Sequence, residues 1–151
     1  MREIGSLAEL KALTGQEVAV SHWIEITQER VNLFADATGD HQWIHVDVER
    51  SKRESPFGAT IAHGFLTLSL LPMMMSNSIA MRDVKMAVNY GLNKVRFPAP
   101  VTIPSRVRGR IKLLSVEDIA GGAQMLWEVT MEREGGDKPV CVAESISRRY
   151  S

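Results

Sequence analysis

Cysteine is nearly absent from the 151-residue chain, Cys141 being the single one, which excludes an internal disulfide. With no His or acid beside it in sequence, Cys141 reads as core filler on a C-terminal strand rather than as a nucleophile. Net charge is absent as well. Eighteen Lys and Arg balance eighteen Asp and Glu, so no long-range field draws the chain to nucleic acid or to an anionic membrane surface. A charged ligand must therefore be met locally. The richest apolar run, Phe65 to Met75, is too short and too interrupted to span a bilayer, and Met1 to Gly5 lack an apolar leader core. A cytoplasmic location is expected, with neither membrane nor nucleic acid as partner. Repeats, low-complexity tracts and Pro/Gly/Ser linkers are lacking too, so residues 1–151 read as one domain of a size that buries a real core.

What is present falls into two helical stretches followed by a run of strands. Thr27 is an N-cap candidate leading into Val31, Leu33, Phe34 and Ala37, with Gly39 as the residue that ends that helix. Asp40 then begins a loop that runs through Pro56, Phe57 and Gly58. Beyond it, Phe65, Leu66, Leu68, Leu70, Leu71 and Met73 to Met75 crowd apolar groups on nearly all sides of a second helix, the pattern of a buried one. Pro72 should kink or shorten it. From Val84 the period changes to two, predicting strands near 84–97, 103–116, 123–133 and 138–150, the last three as an antiparallel meander. In the second of these, Ser105, Val107, Gly109, Ile111 and Leu113 share one face and Arg106, Arg108, Arg110 and Lys112 the other, which is thus wet and basic. A curved antiparallel sheet wrapped around one buried helix of roughly fifteen residues satisfies these patterns. The expected class is α+β, with a single hot-dog fold. Its exposed sheet edge and thinly covered helix predict a homodimer.

The segment from Ala35 to Asp47 carries the chemistry. Asp40 and His45 stand five residues apart, about 140° on a helix and on opposite faces of a strand, so they converge only across a loop. Hydrating an α,β-unsaturated acyl thioester needs a base for water, an acid for the α-carbon and donors for the enolate-like oxygen. Asp40 and His45 can supply the first two. The third requirement points to Ala62-His63-Gly64, where the buried helix begins. Its free backbone N–H groups and positive end suit a developing oxyanion, and Gly64 leaves its amide uncovered.

Gly39-Asp40, Ile44-His45 and Ala62-His63-Gly64 together resemble the motifs of the MaoC-like R-specific enoyl-CoA hydratases. Asn89 to Val101 resembles the strand and turn that follow the central helix in that family, and the likeness covers roughly residues 20–150 after a short N-terminal extension. The resemblance implies that Asp40 and His45 hold one water that adds to the β-carbon, the proton going to the α-carbon on the same face, while the Gly64 N–H binds the thioester carbonyl. It implies an acyl-CoA substrate, an (R)-3-hydroxyacyl product, and no cofactor beyond the coenzyme A of the substrate. Gln42-Trp43 stands where many members have asparagine-proline, so Trp43, with Phe65 and Asn89, is a candidate for shaping the acyl pocket.

Other readings compete. A hot-dog thioesterase would use an acid on or near the central helix, and residues 64–76 contain none. A non-catalytic acyl-CoA-binding module would not need both Asp40 and His45. His41 and His45 could ligate a metal beside Asp40, but no further ligand cluster follows, and no metal is expected. His63 reads as an orienting or capping residue and His22 as a surface one. The methionines from Met73 onward read as core, with a flexible acyl-tunnel wall as the sharper alternative. The basic stripe, with Lys94 and Arg96, could attract coenzyme A phosphates.

Overall fold

The computed structural model describes the chain from Met1 to Ser151. Its first elements are β1 (Arg2–Ile4), α1 (Leu7–Ala12), β2 (Glu17–Val20) and β3 (Ile24–Ile26). This corrects the expectation of a mere N-terminal extension. Ile4 and Leu10 are wholly buried in the common core, and β2 pairs with a central strand of the sheet. These strands are three or four residues long, too short for a period of two to register in the sequence.

Helix α2 (Gln28–Thr38) forms as its signals predict. The Thr27 hydroxyl accepts from the Arg30 N–H at 3.1 Å, and Gly39 closes the helix in the left-handed conformation at φ 79°. The stretch from Asp40 to Gly58, expected as loop, contains α3 (Trp43–Val46), a single turn, and α4 (Val48–Glu54). Asp47 caps α4 by accepting from the Arg50 N–H, a local bond that outweighs weak apolar periodicity.

The central helix is two six-residue helices, α5 (Gly64–Ser69) and α6 (Leu71–Ser76). Pro72 sits in the first turn of α6, where a missing N–H costs nothing. The Leu70 N–H turns back to Thr67 O while the Met74 N–H reaches Leu70 O, so the axis continues across the break. Leu66, Leu70, Leu71 and Met74 are buried, each stabilising by about 1.5–3 kcal/mol relative to exposure. Burial on all sides does not hold, however. Phe65 is 70% exposed and Met73 42% exposed, because the sheet covers only one side of the helix.

The remaining strands are β4 (Ile79–Met81), β5 (Met86–Arg96), β6 (Ser105–Ile119), β7 (Gly122–Arg133) and β8 (Pro139–Tyr150). β1 and β4 make a small parallel pair. The main sheet is antiparallel, in the order β2, β6, β7, β8, β5, with β3 continuing the β2 edge along β6. Register shifts in β5 and β6 bend it. Its inner face, with Ile111, Leu113, Met125, Trp127 and Val129, packs against the helix. Gly109 lies on this face, where an added Cβ would stand 2.8 Å from Met74 Sδ. The lack of a side chain there lets helix and sheet approach. This is the hot-dog architecture, α+β, as the strand pattern predicts.

The outer face of β6 is not the free basic surface its sequence suggests. Arg106 pairs with Glu134, Arg108 with Glu132 at 2.5 Å, and Arg110 with Glu17 at 3.2 Å and Glu132 at 3.4 Å. Neighbouring acids thus neutralise the three arginines of the stripe, and of its four basic residues only Lys112 has no acid partner. Cys141 is buried, and burial pushes its thiol up to about 11.

Candidate active site

Gly39 turns the chain off α2, and Gln42 starts the turn of α3, so Asp40 and His45 come to the same place from a loop and a helical turn. His63 joins them from the residue before α5. Donor atoms of Asp40, His45 and His63 all lie within 4.8 Å of one another. Asp40 is exposed, whereas His45 and His63 are 7% and 2% exposed. One wet carboxylate therefore faces two dry imidazoles.

His45 is held from both ends. Its Nδ1–H donates to Ile61 O at 2.7 Å, because a carbonyl can only accept, and this fixes the tautomer with the Nε2 lone pair free. The Ile61 N–H returns a bond to Ile44 O at 3.0 Å. Behind it, Gln28 Nε2 donates to His45 O at 2.7 Å, and the Thr60 hydroxyl donates to Gln28 Oε1 at 2.6 Å. Burial pulls the His45 imidazole below its ordinary 6.5, with the Ile61 hydrogen bond opposing, His63 adding to the lowering and Asp40 opposing it. A neutral His45 at pH 7 follows.

His63 links the two other groups. Its ring stacks on His45 with centroids 3.9 Å apart and planes 23° apart, while its Nε2–H donates to the Asp40 main-chain carbonyl at 3.0 Å. Its Nδ1 is buried without a partner. The side chain makes no capping bond to α5, so the expectation of a capping residue is not met, and its contacts are with His45 and the Asp40 carbonyl. The same three side chains could each offer one atom to a metal ion, and with His45 Nδ1 and His63 Nε2 taken up by carbonyls each ring would have only its other nitrogen to give. His41 faces away, 3.8 Å from Asp36.

Gly64 opens α5, so its N–H has no intrahelical acceptor, and neither loop nor side chain supplies one. An added Cβ would meet the Phe97 ring at 3.1 Å. The glycine thus serves packing and keeps the amide open. Phe65 lies edge-on to Phe97, with centroids 6.4 Å apart.

Cavities follow the central helix. One of about 320 Å³ lies beside Gly64, Thr67 and Phe97, one of about 430 Å³ between Leu68 and β5, and one of about 480 Å³ beside α6. Asn89 lines the last two, as do Leu71, Pro72 and Ser145. Met75 and Met81 also wall the largest, while Met74 is core and Met73 exposed. Trp43 lies elsewhere, half-buried under the Arg50 guanidinium at 4.1 Å, and borders none of the three. Sequence reasoning missed Gln28 and Thr60, which carry no signal beyond that of a helix start and a polar loop.

Comparison with known proteins bears on the family and the fold. The family model described as "MaoC like domain" matches residues 9–134. The chain is 58% identical over 149 residues to "3-hydroxyacyl-thioester dehydratase Z" of Mycobacterium tuberculosis (strain ATCC 25618 / H37Rv), covering 98% of each. It is 50% identical over 146 residues to "Nodulation protein N" of Rhizobium leguminosarum bv. viciae, covering 94% of this chain and 89% of that one. Among solved structures, the unliganded R-hydratase PhaJ1 of Pseudomonas aeruginosa superposes with a TM-score of 0.71 at 21% identity, over 91% of this chain and 82% of that one, which bears on the fold. With its family model, its full-length relatives and its fold in agreement, the chain belongs to the MaoC-like dehydratase family.

Proposed function

We propose that the chain interconverts (R)-3-hydroxyacyl thioesters and trans-2-enoyl thioesters, with coenzyme A as the thiol of its substrate. The observation that carries this reading is the meeting of the Asp40 carboxylate with a His45 imidazole whose Nε2 is kept free, beside the unpartnered N–H of Gly64. The relative that shares 58% of its residues bears the name of the same reaction. In the hydration direction, Asp40 and His45 hold a water whose oxygen bonds to the β-carbon. One of its protons passes to the α-carbon, and the other stays on the new hydroxyl. The Gly64 N–H stabilises the thioester oxygen while charge accumulates there. The net change is the addition of one water across the carbon–carbon double bond with no external electrons, so the reaction needs no redox cofactor.

The reading includes a cytoplasmic homodimer. No helix is long and apolar enough to cross a membrane. β5 is an edge strand of eleven residues, with Met86, Val88, Tyr90 and Leu92 exposed along it and Phe65 and Phe97 exposed beside it. Pairing two such edges about a twofold axis covers them and the open side of the helix. Light scattering should give twice the 16.8 kDa chain mass, and a monomer at micromolar concentration would remove this part of the reading.

The activity is tested by incubation with a trans-2-enoyl-CoA and its saturated analogue, following loss of the conjugated thioester absorbance and release of free thiol separately. Enoyl loss without thiol release is expected, and the product should not serve an S-specific 3-hydroxyacyl-CoA dehydrogenase. Thiol release from the saturated analogue would make the protein a thioesterase instead, and binding without turnover would make it a carrier.

A further inference from the structure

The cavity of about 480 Å³ beside α6 is mostly apolar, but the wall that β8 contributes is polar, with Ser145, Ser147 and Arg149. Cys141, Ala143, Ser145, Ser147 and Arg149 are the inward positions of β8 by alternation, and the last three of them are polar where a filled core would take apolar groups. Arg149 is only 3% exposed, yet no carboxylate pairs with it. Its guanidinium has two long contacts, to Arg82 O at 3.4 Å and Met81 Sδ at 3.8 Å. On the outer face of the sheet, by contrast, Arg106, Arg108 and Arg110 of β6 each have an acid partner. A buried guanidinium left without a counter-charge is costly, and an apolar side chain of similar volume would remove that cost. Something that arrives from outside offsets it. Ser147 points the same way. Its oxygen already accepts from Trp127 Nε1 at 3.1 Å, which leaves its own O–H to donate to an acceptor in the cavity.

The geometry points to an anion receptor at the far end of the acyl site: we propose that Arg149, with Ser147 and Asn89, binds a carboxylate at the ω-end of the acyl chain, so that half-thioesters of dicarboxylic acids are preferred substrates. This rests on the thioester reading of the Gly64 end. From Gly64 to Met75 the helix axis advances about 16 Å at 1.5 Å per residue, and the cavities beside Gly64, Leu68 and Met75 succeed one another along it. A medium-length chain with its thioester at Gly64 therefore brings its tail to Arg149. The planar fork of a guanidinium matches a carboxylate with two parallel hydrogen bonds, which an alkyl terminus cannot accept.

The experiment measures kcat/KM for trans-2-enoyl-CoA substrates of increasing length, each as an ω-carboxyl and an ω-methyl compound, with wild type, Arg149→Met and Arg149→Lys. The ratio for the two tails within one variant cancels any overall loss of activity. Wild type should favour the ω-carboxyl series by tenfold or more at one medium length. Arg149→Met should reverse that preference, and Arg149→Lys should keep part of it. Equal turnover of both series by wild type, or an unchanged ratio in folded Arg149→Met, would overturn the proposal. Should Arg149→Met not fold by circular dichroism, the wild-type ratio and Arg149→Lys still decide. Failure to hydrate any enoyl-CoA would overturn the thioester reading itself and would be seen first in the short ω-methyl compounds.

Discussion

His45 and His63 stack with their rings 3.9 Å apart, and His63 also donates to the main-chain carbonyl of Asp40 at 3.0 Å. One side chain thereby sets both the plane of the His45 ring and the path of the loop that carries Asp40. Because His63 precedes Gly64, the same residue couples these two groups to the amide that opens α5.

His63 should therefore act as a positioning residue, with an effect visible in the pH profile. His45 is drawn below 6.5 chiefly by burial and further by His63, so kcat/KM for hydration should fall on the acid side with a midpoint below 6.5. The sign follows from the base needing a free Nε2: activity is present above the folded value and is lost as pH falls through it. Stability follows the same direction. The unfolded imidazole takes its proton first as pH drops below 6.5, which penalises the folded chain. His63→Phe keeps a stacked ring and deletes the Nε2 donor. It should lower kcat by roughly ten- to a hundredfold, a general acid/base contribution partly lost, and move the acid limb up toward 6.5. A limb left in place beside full activity would show His63 to be packing only.

Gly64 has two roles that separate by experiment. Gly64→Val crowds the amide and should lower turnover by roughly a hundredfold or more, the scale of one lost oxyanion donor. Its Cβ also meets the Phe97 ring, so stability should fall too. In a Gly64→Ala background, Phe97→Leu should restore melting temperature by making room and leave the turnover defect in place. Recovery of both together would assign the defect to packing.

Gly109 tests how the helix seats on the sheet. A side chain there must displace Met74 Sδ and Val129 Cγ1, which an added Cβ would approach to 2.8 and 3.1 Å. Gly109→Val should destabilise by about 1–3 kcal/mol, as overpacked cores do, read as a lower denaturant midpoint. An unchanged midpoint would mean that the helix shifts without cost.

Much of this molecule was legible in its sequence, for reasons that vary by element. The strands from β5 to β8 are long enough for their period of two to declare itself, and Thr27 and Gly39 bracket α2 because capping is local chemistry. The bounds of β1 to β3 were not legible because three or four residues carry no period, and Pro72 announced an interruption of the central helix without showing that it opens a second helix after Leu70. Asp40, His45 and Gly64 stood out in the sequence because proton transfer and oxyanion binding demand specific groups, and the fold brings the side chains of Asp40 and His45 together. Gln28, Thr60 and the stack of His45 on His63 depend on side chains meeting across the fold, which no spacing encodes. The pairing of the β6 arginines with Glu17, Glu132 and Glu134 is of that kind.

The final prediction concerns how Asp40 and His45 share their task. A carboxylate oxygen of Asp40 and a ring nitrogen of His45 lie within 4.8 Å of one another, a gap that one water can bridge by donating a hydrogen bond to each. If both hold the same water through the reaction, removing either disables it. Asp40→Asn keeps the shape without the charge, and His45→Gln keeps a polar group without a titratable one. Each should lower kcat by about two to four decades, with affinity for a saturated acyl-CoA changed much less. The double variant should then be little worse than the poorer single, because residues acting as a unit are strongly non-additive. Independent roles would instead multiply the two losses, so the four turnover numbers decide between one shared water and two separate steps. Near-wild-type turnover in either single variant would take that residue out of the chemistry altogether.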